Sequence, residues 1–168
     1  MEAERFATSV QEPGTQWTVI PDLGRTLSGL SLMPYTKPVS GASLTYQIRL
    51  KSDLSGVRVR LILDSTLPFI KGGHSYAIRL DDGEEQIVNY NSDLTWANCY
   101  SKMYPAGAAR VIESKVTFPD TTLEAGVHTL TIRPLSLAIV LHKIIVDCGG
   151  DMPSRLNLTE SPRVRTLK

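Results

Sequence analysis

Two groups of residues in this chain have the types and spacing to do chemistry. The first is aromatic. Trp96, Tyr100 and Tyr104 share one segment, residues 91–107, with Asn98, Lys102 and, just beyond it, Arg110. Sugar rings carry apolar C–H faces that stack on exposed aromatic planes, and their hydroxyls hydrogen-bond to amide and cationic side chains. Such residues collect on loops carried by a rigid scaffold. The same rings could instead cap one end of a core; Trp17 and Tyr35 are weaker candidates for the stacking role. The second group is acidic. Glu2 and Glu4 open the chain and Asp147 ends its longest apolar run. Calcium takes about six to eight hard oxygen ligands, carboxylates among them. A first strand carrying both glutamates beside a last strand ending in Asp147 could supply them, or all three could be an ordinary charged edge.

Other chemistries find less support. His74, His128 and His142 lie far apart without metal spacing. His128 is expected to be exposed, and His142 half-buried and satisfied by one hydrogen bond. Asp81, Asp82, Glu84 and Glu85 flank a turn, where carboxylates are usually solvated, whereas a glycosidase needs two facing each other across a cleft. No Gly-x-Ser-x-Gly elbow, Cys–His pairing or phosphate-binding loop occurs. The residues therefore point to a binding or accessory domain rather than an enzyme. Eighteen Lys and Arg against seventeen Asp and Glu leave a net charge of +1, so no global field favours nucleic acid or an anionic membrane. Cys99 and Cys148 are too few for a disulfide framework or a thiolate zinc site and read as small buried residues. No apolar run approaches the ~20 residues of a membrane span. Glu2 and Glu4 stand where a signal peptide would be basic, and Met1 before them reads as an added start to an excised domain.

The elements that must position these residues are strands. Residues 44–50 alternate, with Leu44, Tyr46, Ile48 and Leu50 on one face. Residues 57–63 repeat the pattern, and Arg58 with Arg60 predicts a face turned to water. Tyr76, Ile78 and Leu80 face one way before an Asp81-Asp82-Gly83 hairpin turn, with Gly supplying the positive φ; the return strand is residues 86–90. Residues 2–6 are expected to form a first edge strand. Further strands are expected at 17–20, 28–33, 111–118 (closed by Pro119), 127–135 and 138–146. The last is apolar on both faces apart from His142 and Lys143, as a strand buried on both sides would be. Asp93 could cap one or two helical turns that end by Pro105. Many short strands and no long amphipathic helix predict an all-β fold, an antiparallel sandwich or jelly roll. Its domain spans residues 1–150, followed by an extended tail over 151–168.

Several stretches together resemble a known family. They are Glu2–Glu4, residues 20–26 (IPDLGRT), 75–89 (SYAIRLDDGEEQIVN), Trp96, 126–132 (GVHTLTI), 140–156 (VLHKIIVDCGGDMPSRL) and 159–163 (TESPR). This set is similar to the C-terminal domain of glycoside hydrolase family 115 enzymes, the xylan α-1,2-glucuronidases. The resemblance implies a galactose-binding-like sandwich similar to carbohydrate-binding modules, placed at the end of a secreted or periplasmic enzyme. It implies a polysaccharide partner such as glucuronoxylan, which the aromatic segment read above would hold, Trp96, Tyr100 and Tyr104 by stacking and Asn98 by a hydrogen bond. It also implies a structural Ca²⁺ held by Glu2, Glu4 and Asp147, as in related modules with a similar opening. The alternative is a purely structural module that packs on its parent enzyme or mediates its dimerisation, with the tail from Asp151 as a docking segment.

Overall fold

A computed structural model describes residues 1–150 and 159–162. Among the described residues ten strands form two five-stranded antiparallel sheets packed as a sandwich. In chain order they are β1 (Thr8–Val10), β2 (Gln16–Ile20), β3 (Gly29–Met33), β4 (Ser43–Leu50), β5 (Leu54–Asp64), β6 (Ser75–Leu80), β7 (Gln86–Asn89), β8 (Val111–Leu123), β9 (Gly126–Pro134) and β10 (Val140–Asp147). One sheet runs β1-β4-β9-β6-β7 and the other β2-β3-β10-β5-β8. The expected tail over 151–168 lies outside the described residues except for 159–162.

The alternating faces become the core. Leu44, Tyr46, Ile48 and Leu50 of β4 meet Val57, Val59, Leu61 and Leu63 of β5 across the sandwich, joined by Tyr76, Ile78, Leu80, Leu130 and Ile132. Period-2 patterning puts these residues on the inner faces. β10 lies between β3 and β5, and its first five residues are all buried. Alongside Lys143 and Ile144 its free edge is taken by the chain's opening segment.

That opening is not the expected strand. Glu2 makes one isolated antiparallel bridge to Lys143, and Ala3–Arg5 then turns as a short 3-10 helix. The position is dictated by a vacancy in the ladder. β3 pairs with β10 only at Val140 and Leu141. Beyond that, Met1 and Ile144 exchange backbone hydrogen bonds at 2.7 and 2.8 Å. The reading of β5 is corrected at one residue. Arg58 is exposed as expected, but Arg60 is buried, with its guanidinium 3.0 Å from Glu113 on β8.

Two turns differ from expectation. Pro119 does not close β8: it falls in the irregular stretch between the Val57–Phe118 and Ser55–Thr122 pairs. An edge strand tolerates proline there because no neighbour needs its missing N–H. In the hairpin after β6 the left-handed residue is Asp81, at φ 47°. Gly83 has another reason: its N–H donates to the Leu80 carbonyl, and a Cβ would sit 3.0 Å from that oxygen.

Candidate functional site

Between β7 and β8 the chain leaves the sandwich. Trp96–Asn98 form a 3-10 turn, Cys99–Met103 a π-helical turn and α1 (Tyr104–Ala109) a short helix. Thr95 caps this insertion rather than Asp93, because the Thr95 N–H donates to Asn98 Oδ1 at 2.8 Å. Pro105 stands at the start of α1, not at the end of the helical stretch. Proline lacks only an N–H that a first helical turn leaves unpaired anyway.

The insertion carries its rings outward. Trp96 is 85% exposed, Tyr100 90% and Tyr104 73%. They do not cap the core. They line, with Leu67, Met103 and Ala108, an open groove of about 660 Å³. The walls are mostly apolar, with Ser65 and Cys99 also in the lining. Asn98, expected to reach a ligand, spends its amide inside the insertion: Oδ1 accepts from Thr95 and Nδ2 donates to the Asp93 carbonyl. Asn98 therefore shapes the platform instead of lining it. Lys102 pairs with Asp93 at 2.7 Å, both largely exposed. Trp17 and Tyr35 lie elsewhere, bonded to the Val10 carbonyl and to Ser31 Oγ.

Residues without a sequence signal hold this platform. Asn91, fully buried, accepts the His74 N–H at 2.7 Å and donates to the Thr66 carbonyl at 2.8 Å. It ties the root of the insertion to β6 and to the loop that supplies Leu67. At the far end, Arg25 donates to the Ala109 carbonyl at 2.9 Å, a cation meeting the carbonyl end of α1.

The acidic group is split. Glu2 Oε1 lies 3.1 Å from Lys143 Nζ and accepts the Thr26 hydroxyl at 2.8 Å. Glu4 accepts the Ser28 hydroxyl and lies 3.5 Å from Arg5. Asp147 is four positions beyond Lys143 along β10, about 13 Å at strand rise, and is held by Arg58 at 2.9 Å and by the Gly149 N–H at 2.8 Å. Among the described residues no three His, Cys, Asp or Glu side chains converge on one point. The expected calcium set does not fit together, because an ammonium already stands against Glu2 and Asp147 is engaged elsewhere.

The histidines are structural, though not as expected. His128 lies within β9 with Nδ1 2.7 Å from Asp81 Oδ2 and Nε2 2.7 Å from the Glu124 carbonyl. Two acceptors favour the doubly protonated ring, so its pKa is raised, first by Asp81. Asp81 also accepts the Thr129 N–H at 2.7 Å, so this turn carboxylate is a brace and not merely solvated. His142 is the extra residue of a β-bulge, where β10 gains one residue on β5. It is 2% exposed, and among the described residues neither ring nitrogen has a hydrogen-bond partner, with Nε2 3.8 Å from Asp64 Oδ1; burial lowers its pKa. Cys148 is exposed and Cys99 half-buried, both free thiols; neither is the buried residue expected. Among the described residues no helix is long and apolar enough to cross a membrane.

Comparison with known proteins supplies a family. The model of the glycosyl hydrolase family 115 C-terminal domain matches residues 1–160. No curated protein matches the chain. Among solved structures, one similar protein is a family GH115 4-O-methyl-α-glucuronidase with specificity for decorated arabinogalactans. It is 18% identical, with a TM-score of 0.58, over 84% of this chain and 17% of that one. Another is a carbohydrate-binding module from Cellvibrio mixtus lichenase 5A in complex with cellotriose. It is 16% identical, with a TM-score of 0.53, over 87% of this chain and 93% of that one. A family 35 carbohydrate-binding module from Clostridium thermocellum is 12% identical, with a TM-score of 0.52, over 83% and 98%. At these identities the likeness is one of fold.

Proposed function

The chain belongs to the glycosyl hydrolase family 115 C-terminal domain family, and from that premise we propose that it is a non-catalytic module that holds polysaccharide for a catalytic domain elsewhere in a secreted or periplasmic enzyme. The ligand class is hemicellulose of the glucuronoxylan type. The observation that carries this reading is the exposure of Trp96, Tyr100 and Tyr104 around one groove. Rings left in water on a short, internally braced insertion gain free energy only when something stacks on them. A pyranose chain offers flat C–H faces at a regular spacing, and a groove of about 660 Å³ admits a short run of sugar units. The paired Asp81 and His128 brace a hairpin, consistent with a domain that binds without turning over substrate.

Isothermal titration against glucuronoxylan, arabinogalactan and their oligosaccharides tests this. Saturable binding to glucuronoxylan is expected, weakened at least tenfold by Trp96→Ala, which is ~1.4 kcal/mol. Unchanged affinity in that variant overturns the assignment.

A second reading has its own observation. The groove walls are mostly apolar, and Asn98 is consumed internally, as a surface that docks on the parent enzyme would have it. Silence across the polysaccharide panel, with Trp96-dependent self-association in sedimentation, would favour that structural module.

A further inference from the structure

We propose that the Lys143 ammonium is a built-in cation that closes the seam between the chain's opening and β10, so that this corner is held by an internal charge pair and takes no divalent ion. Glu2 and Lys143 face each other as cross-strand partners. Their carboxylate and ammonium are 3.1 Å apart, and the residues are only 6% and 4% exposed. The Thr26 hydroxyl completes the cradle at Glu2, and the Glu160 carboxylate accepts the Glu2 N–H at 2.9 Å.

The geometry leaves no place for calcium. The ion needs about six to eight oxygens at ~2.3–2.6 Å. Here the inner carboxylate already faces a positive charge, Glu4 is turned to Ser28 and Arg5, and Asp147 is held by Arg58. A divalent ion entering this corner would meet the ammonium at close range with little water to screen the repulsion. The ammonium does for the seam what a metal does elsewhere: it neutralises a buried carboxylate and ties two distant stretches of chain. Unlike a metal it cannot be removed by a chelator.

A buried pair is worth little against apolar side chains of the same size, but removing one partner strands the other charge. This predicts a pattern that a metal site would not give. The chain's unfolding temperature should agree within about 1 °C in EDTA and in millimolar CaCl₂, and Tb³⁺ should show no saturable luminescence sensitised by the protein's aromatic residues. Lys143→Met should lower the unfolding temperature by about 10 °C. The double variant Glu2→Gln/Lys143→Met should recover at least half of that loss. A calcium-induced rise of several degrees that Glu2→Gln abolishes would overturn the proposal, as would a double variant no more stable than Lys143→Met alone. If Lys143→Met does not fold, recovery of folding in the double variant supports the pairing, its failure overturns it, and the ion titrations on the unaltered chain decide the metal question by themselves.

Discussion

The Glu2–Lys143 corner and the Trp96–Tyr104 insertion break the ordinary rule of burial in opposite directions. The corner puts two charges inside, and the insertion puts three aromatic rings outside. The corner carries its own counter-charge: Glu2 faces Lys143 and accepts the Thr26 hydroxyl, and Glu4 accepts the Ser28 hydroxyl. In the insertion Asn98 bonds to Thr95 and Asp93, and Lys102 pairs with Asp93. Its apolar surface is what remains unsatisfied. Exposed rings above amide and charge pairs are what the proposed binding surface requires, whereas a buried charge pair serves the fold.

The contrast is sharpest between a ring in the body and a ring in the insertion. Tyr76 is fully buried and its hydroxyl lies 2.7 Å from Ser114 Oγ; burial pushes its pKa up to about 12. Tyr76→Ala should cost about 3–5 kcal/mol in urea-induced unfolding, the range for truncating a buried aromatic residue. Trp96→Ala, removing a ring 85% exposed, should change stability by no more than ~0.5 kcal/mol. A loss near that of Tyr76 would make Trp96 a core cap and erase the distinction.

Arg25 tests whether the platform must be held in place to work. Its hydrogen bond to the Ala109 carbonyl ties the loop before β3 to the end of α1. Arg25→Ala should cost ~1 kcal/mol of ordering at the insertion, and affinity for glucuronoxylan should fall about fivefold although Arg25 does not line the groove. Undiminished affinity would mean that the insertion keeps its shape without this tie.

Much of the body was legible in the sequence because period-2 patterning is local. Leu44 to Leu50 alternates and becomes β4, and the run ending at Asp147 is a central strand. What failed to show depends on partners distant in sequence. Arg60 reads as a solvated residue until Glu113 and the surrounding structure bury it. Glu2 and Lys143 lie far apart in sequence, and they meet where the pairing of β3 with β10 has stopped. Composition picked out the three aromatic residues but could not tell a core cap from a platform, since the difference lies in the insertion's own hydrogen bonds. Leu67 and Asn91 joined the site with no signal, one from another loop and one as its hidden anchor.

Acid should act on the body before the insertion. Burial lowers the pKa of His74 and of His142. Their neutral forms are favoured in the folded state, so the unfolded chain takes up protons first as pH falls below about 6.5, and stability declines. His128 opposes this, because its raised pKa adds stability at low pH that is lost as pH rises. Thermal unfolding should therefore move to lower temperature between pH 7.5 and pH 5.5, and His142→Gln should flatten the slope. A slope unchanged in that variant would assign the effect to His74 or to carboxylates.

The smallest expected effect concerns Lys102. It is paired with Asp93 at 2.7 Å, but both side chains are more than half exposed, so the pair should add at most ~0.5 kcal/mol to stability. If the platform works by stacking alone, Lys102→Ala should also leave glucuronoxylan affinity within about twofold. Glucuronoxylan carries carboxylates, however, and an exposed ammonium on the same insertion could leave Asp93 to meet one. Such a contact would show as a several-fold loss in Lys102→Ala that vanishes at high salt, because an exposed charge pair is screened over about 8–10 Å at ordinary ionic strength. It would also be absent with an uncharged xylan. The two outcomes separate a platform that reads only the flat face of a sugar from one that also reads its charge, and the second would extend the contrast with the corner: there the lysine has a permanent carboxylate, here it would exchange one for another.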